Sequence, residues 1–306
     1  VPFYIYYSMF GFQRVGDFCW AAGDMQSRGF LIGATAGRTT LAGEGLQHQD
    51  GHSHVLASTV PVCRSYDPAF AYEMATIVRS GIDAMYPAAG AEFGEDVFYY
   101  LTLYNENYPM PAMPQPIYDG LDVVTGIIDG LYPWSPAPKV GGPAVTLLFS
   151  GPMWKVAVDA QSLLAEHYGV GAELWSATSY QQLRMDAIAV ERWNLLHPSE
   201  SPRTTKVADL LDRPHGPIVA VTDFMRAVPD QVARWMPRRY TSLGTDGFGR
   251  SDTREHLRSY FETDAAHLCV AALSMLAADG TIDPSVALDA VSRFDVDPDL
   301  VVPWHG

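Results

Sequence analysis

The sequence predicts an α/β protein of two consecutive domains, each a mostly parallel sheet covered by helices. Three observations predict it. Short apolar runs, such as Phe30-Leu31-Ile32-Gly33, residues 97–104 and Ala144–Phe149, include stretches hydrophobic on both faces, as strands covered on both sides are. They alternate with amphipathic helical stretches, the pattern of parallel sheets with crossover helices. Between two such series lies residues 105–117, with four prolines, which reads as a linker and the domain boundary.

Taken in order, residues 3–27 read as a short extended entry and a mostly buried helix, with Gly11 and Gly16 allowing close packing or a kink. A strand over 30–34 leads into a long Gly/Thr-rich loop, Thr35 to His54. Val60–Cys63 reads as an edge strand because of Pro61. Asp67-Pro68 reads as a helix start, and residues 97–104 as a central strand. The second series has strands at 144–149, 173–177, 218–222 and 240–243, with helices at 151–168, 180–195 and 224–235, then a largely helical last fifty residues. The expected division is residues 1–110, a linker over 111–142, and 143–306.

The chain has 306 residues and a formal charge of −15. That balance argues against nucleic acid or an anionic membrane as partner, since both require a basic face. Cys19, Cys63 and Cys269 are scattered and form no Cys-x-x-Cys, against a zinc ribbon or a disulfide framework. With no run of about 18 apolar residues and no recognisable signal peptide, a cytoplasmic protein is expected.

Residues 43–54 concentrate chemistry: His48, His52 and His54 lie within seven positions, with Gln47, Gln49 and Asp50 among them and glycines at 43, 45 and 51. If extended, His48, Asp50, His52 and His54 share one face. Three readings stay open from these residues: a metal site, a purely structural loop, and an acid/base or anion-binding site. A second polar island, residues 244–252, follows a strand and precedes a helix. Its glycine spacing is neither a dinucleotide nor a Walker loop, so a tight turn with Asp252 as N-cap is favoured. No Gly-x-Ser-x-Gly elbow supports a serine hydrolase.

Three stretches, Tyr6-Tyr7-Ser8-Met9-Phe10-Gly11-Phe12-Gln13-Arg14, residues 34–54 and Leu243–Asp252, together resemble the carboxyl-terminal third of the homodimeric bacterial pyruvate dehydrogenase family, the thiamine-dependent decarboxylating component. Ser65–Ala69, Asn105–Pro114 and Glu191–Asn194 agree, and Asp50-Gly51-x-Ser53-His54 echoes the transketolases. The resemblance implies the remainder of a transketolase-like pyrimidine-binding domain followed by the carboxyl-terminal domain. It implies thiamine diphosphate and Mg2+ as cofactors, with the diphosphate and metal ligands and the cofactor-activating glutamate upstream of Val1 and no metal held by this chain. Alone, the chain is therefore expected to be inactive. By position, Phe10 would stack on the aminopyrimidine, and Tyr7 and His48 would reach the substrate-derived group, stabilising its developing oxyanion. His48 would also give a proton to the departing lipoyl thiolate. Asp50, His52 and His54 would order the loop or line the pocket, and Arg14 matches a motif position. The implied partners are a second identical subunit and dihydrolipoamide acetyltransferase with its lipoyl domain. The alternatives are another thiamine-dependent 2-oxo acid dehydrogenase or transketolase-like enzyme, a non-catalytic dimerisation or docking fragment, and a metal hydrolase built on His48, His52 and His54.

Overall fold

Apolar runs sort into two sheets in the computed structural model, which describes residues 1–88, 93–213 and 215–303. The first sheet contains β1 (Phe3–Tyr7), β2 (Gly29–Ala34), β3 (Cys63–Tyr66) and β4 (Phe98–Thr102) in the order β1-β2-β4-β3. All its pairings are parallel. β4 is buried at every position, as a covered interior strand must be. Around the sheet run α1 (Phe12–Asp24), α2 (Ser53–Ala57) and α3 (Ala71–Met85).

The short extended entry is present, and the burial expected of the helix after it needs correction. Residues 3–7 form an edge strand in register with β2, Phe3 opposite Phe30 through Tyr7 opposite Ala34. Aromatic side chains favour that pleated edge. The helix after it is not mostly buried: α1 buries Phe12 and Cys19 and leaves Phe18 and Trp20 exposed. β3 begins at Cys63, beyond Pro61, and does lie at an edge. α3 starts at Ala71, not at Asp67-Pro68. Asp67 is engaged elsewhere, its N–H donating to Thr178 O at 2.8 Å and its carboxylate accepting from Thr102 and Tyr104.

The second sheet has the order β5-β7-β6-β8-β9. Its strands are β5 (Tyr132–Ser135), β6 (Ala144–Phe149), β7 (Gly171–Ser176), β8 (Ile218–Val221) and β9 (Tyr240–Leu243). Only β5 pairs antiparallel, at an edge that tolerates Pro133. Both β5 and the short helix α4 (Val123–Asp129) lie within 111–142, the stretch expected to be linker. α5 (Trp154–Tyr168) ends at Gly169, whose φ of 61° gives the left-handed cap that stops a helix. Next come α6 (Tyr180–Leu196) and α7 (Lys206–Leu211). Within 224–235 the chain forms a 3-10 turn over Pro229–Trp235 instead of the expected α-helix. The chain closes with α8 (Arg254–Tyr260), α9 (Ala265–Ala278) and α10 (Pro284–Arg293). The stretch Arg254–Ala278 is apolar enough to cross a membrane by composition, but it buries Leu268, Ala272, Leu273 and Leu276 in the core. That burial accounts for its hydropathy.

The start of α3 joins the two sheets. Phe70, at its N-cap, cannot cap with its own side chain, so Glu73 reaches back to accept from Phe70 N (3.1 Å) and Ala69 N (2.6 Å). The same fully buried carboxylate accepts from Tyr132 Oη on β5 and Ser176 Oγ on β7, both at 2.6 Å. Burial raises the Glu73 pKa, and the Ser176, Tyr132 and backbone hydrogen bonds oppose that rise. Phe70 packs beside it against Trp134, Phe149 and Trp154. A second crossing carboxylate, Asp223 after β8, accepts from Thr39 N at 3.0 Å and sits so close to Gly37, at φ 85°, that no Cβ fits there.

Two predictions follow from these crossings. Glu73→Ala leaves Ala69 N, Phe70 N and Ser176 Oγ without their acceptor, and chemical denaturation of the variant is expected to show a loss of about 3–5 kcal/mol, at about 1–3 kcal/mol for each buried donor left unpaired; a loss below about 1 kcal/mol would contradict the crossing's importance. Burial pushes Asp223 up to about 7, against the opposing pull of Arg258 and Thr39. Unfolded, the group ionises near the ordinary value of about 4. The folded state therefore holds an extra proton between those values, a contribution present at acid pH and lost as pH rises through about 7. Stability measured from pH 5 to 8 should fall less in Asp223→Asn than in the parent chain; parallel curves would refute this.

Candidate functional site

Open parallel sheets offer ligands the space beyond the carboxyl ends of their strands. β1 ends at Tyr7, and the chain turns at once through a single 3-10 turn, Ser8–Phe10, into α1. β2 runs into the loop carrying His48, which lies at the end of a second 3-10 turn, Leu46–His48. These two strand exits bring three rings together. The Tyr7 and Phe10 centroids are 5.7 Å apart, Tyr7 and His48 5.7 Å, and Phe10 and His48 5.3 Å. Arg14, one turn along α1, lays its guanidinium 4.1 Å from the Phe10 centroid, a cation–π contact. Glu44 faces His48 Nδ1 at 3.3 Å, one turn back in the loop. Tyr7 remains half-exposed, so the corner is reachable from solvent.

The remaining loop residues are not on one face. Asp50 is fully buried and accepts from His52 N (3.0 Å), Ser53 N (2.9 Å) and the Ser8 hydroxyl. His52 turns to Gln13, its Nε2 2.6 Å from Oε1, and burial lowers its pKa against the pull of Asp50. His54, in the first turn of α2, points inward, Nε2 3.1 Å from Thr102 Oγ1, with its ring edge-on to Phe224 at 4.7 Å. Complete burial lowers its pKa, against the opposing pull of Asp67 and Asp50. Loop folding around Asp50 thus separates the three histidines that an extended strand would have aligned. Among the described residues no three metal-ligating side chains converge, which removes the metal-hydrolase alternative from this loop.

The second polar island meets the first. Arg250 N donates to Gln49 Oε1 at 2.6 Å, and Gly43 N donates to Asp252 O at 3.1 Å. Gly249 lies where any Cβ would collide with Gln49. Arg38, almost wholly buried, spans the same junction and donates to Thr245 O. The N-cap of α8 is Thr253, accepting from His256 N, while Asp252 accepts from the neighbouring Thr253 N. That corrects the expected cap by one residue. Ser8, Gln13, Arg38 and Tyr100 carry site contacts that the sequence alone did not single out. Gly51, which lets Arg38 approach, was the nearest available signal for one of them.

Comparison with known proteins follows this geometry. Residues 1–111 match the family model for the pyruvate dehydrogenase E1 component middle domain, and residues 130–264 match the transketolase-like TK C-terminal domain. The pyruvate dehydrogenase E1 component of Escherichia coli K12 is 51% identical over 304 residues, covering 99% of this chain and 33% of its own length. That of Pseudomonas aeruginosa is 49% identical over 300 residues, covering 98% and 33%. The chain therefore spans about a third of the length of these relatives. Transketolase from Leishmania mexicana shares the fold, with a TM-score of 0.65 at 15% identity over 94% of this chain and 36% of that one. With half its residues shared along nearly its whole length, the chain belongs to the bacterial pyruvate dehydrogenase E1 component family, of which it carries the middle and transketolase-like C-terminal domains.

Proposed function

We propose that this chain forms the pyrimidine- and substrate-facing part of a thiamine diphosphate-dependent pyruvate dehydrogenase. The reaction is oxidative decarboxylation of pyruvate with reductive acetylation of a lipoyl group on dihydrolipoamide acetyltransferase. The observation that carries this reading is the Tyr7–Phe10–His48 corner at the strand exits, in a chain about half identical to its E1 relatives. Bound thiamine diphosphate supplies a carbon nucleophile and an electron sink. The Phe10 ring offers a flat apolar face to the aminopyrimidine, and the Arg14 guanidinium against that ring restrains it. Tyr7 and His48 hold protons where negative charge develops on the pyruvate ketone oxygen. His48 then gives a proton to the departing lipoyl sulfur, with the Glu44 carboxylate 3.3 Å from its Nδ1. Asp50, His52 and His54 order the loop in this reading.

Among the described residues no three His, Cys, Asp or Glu side chains converge, so no residue of this chain is named as an Mg2+ ligand. Ile5, Phe18 and Trp20, exposed on β1 and α1, support a homodimer that covers them. Three buried, unpaired cysteines support a reducing, cytoplasmic setting.

The test uses the full-length protein, a lipoyl domain and a choice of 2-oxo acids. Pyruvate is expected to support lipoyl acetylation far better than 2-oxoglutarate, and the reverse preference would overturn the assignment. His48→Gln is expected to lower the acetylation rate by about 10²-fold or more. An unchanged rate would remove His48 from the chemistry.

A further inference from the structure

Ser8 stands between the two aromatic residues of the site, yet it is itself 1% exposed. Its hydroxyl donates to Asp50 Oδ2 and lies 3.1 Å from Tyr100 Oη on β4. Tyr100 Oη in turn donates to Ser53 Oγ at 2.8 Å. Asp50 uses its other oxygen on the N–H groups of His52 and Ser53, which fixes the turn between the His48 loop and α2. Both oxygens of this buried carboxylate are therefore engaged, one by each wall of the site. No other side-chain hydrogen bond between described residues ties the Ser8–Phe10 turn to residues 43–51. The contacts among Tyr7, Phe10 and His48 themselves are ring packing at 5.3–5.7 Å, which tolerates sliding.

We propose that Ser8 and Asp50 are the positioning pair of this site, their hydrogen bond setting the separation of the Tyr7–Phe10 wall from His48. The inference rests on the function proposed above for those three residues. Tyr100 and Ser53 hold the Ser8 hydroxyl from below. The pair touches neither substrate nor cofactor. It acts by keeping the ring that stacks and the imidazole that donates at a fixed spacing, where a misplacement of about 1 Å costs on the order of 10²-fold in rate.

The experiment compares full-length Ser8→Ala, His48→Gln and the double variant, with Ser8→Cys as a near-isosteric second probe. Readouts are thermal midpoint, thiamine diphosphate affinity by fluorescence titration with magnesium present, and the rate of lipoyl acetylation from pyruvate. Ser8→Ala is expected to weaken cofactor affinity and lower the rate by about tenfold or more each, since relaxed spacing costs up to about 10²-fold. At saturating cofactor its effect on the rate should largely vanish in the His48→Gln background, because the imidazole whose spacing it sets is then gone, while the loss of cofactor affinity should persist. Ser8→Cys should fall between parent and Ser8→Ala. A lower thermal midpoint with affinity and rate unchanged would make the bond merely structural and overturn the proposal. Equal rate losses in both backgrounds would do the same. If His48→Gln alone leaves the rate unchanged, the functional reading fails first; loss there with none in Ser8→Ala or Ser8→Cys sinks only the positioning pair.

Discussion

The carboxylate of Glu73 holds the two sheets in one relation. An ionisable oxygen pair without access to water must gather donors from its surroundings. Here two come from the residues leading into its own helix and two from β5 and β7 of the other sheet. Satisfying one set without the other would leave one buried carboxyl oxygen unpaired, so the start of α3 and the second sheet lock together. Phe70 and the tryptophans around it add apolar area to the same junction. Domain orientation is thus set by a polar requirement and stabilised by an apolar one.

That orientation matters because the loop bearing His48 has little structure of its own. Between β2 and α2 it holds one short 3-10 turn and an isolated bridge between Gly37 and Asp50. Much of its support comes from the second domain. Asp223 receives Thr39 N, Arg250 N binds Gln49, and Arg38 reaches Thr245. Burial depresses the Arg38 pKa, while Asp50, Asp246 and Asp223 counter that effect. A mobile loop would leave His48 without a defined partner ring. The C-terminal domain thus acts as the mould for a site whose aromatic residues all belong to the first domain.

Strands covered on both faces were legible in the sequence because their composition leaves little choice: β2, β4, β6, β7 and β8 lie within two residues of where they were expected. Segments whose role depends on distant partners were not. Residues 3–7 read only as an extended entry, and pairing with β2 is what makes that stretch a strand of the sheet. Pro133 concealed β5, and Asp67 looked like a helix cap until the other domain supplied Thr178 for its N–H. At the site, Tyr7, Phe10 and His48 came from the family resemblance, and the structure brings their rings together. The link between Ser8, Asp50, Tyr100 and Ser53 joins residues up to 92 positions apart, a separation no local pattern encodes. Alternation also misled in one place, since the turn around Asp50 sends His48, His52 and His54 to different neighbours.

The proposed function requires the aromatic corner to grip a thiamine cofactor. Titration of full-length Phe10→Ala with thiamine diphosphate at fixed magnesium, followed by intrinsic fluorescence, tests this most directly. Loss of a stacked aromatic face should weaken binding by roughly tenfold or more, as ring-on-heterocycle stacking contributes about 1–3 kcal/mol. An affinity equal to that of the parent protein, in a variant that melts at the same temperature, would contradict it.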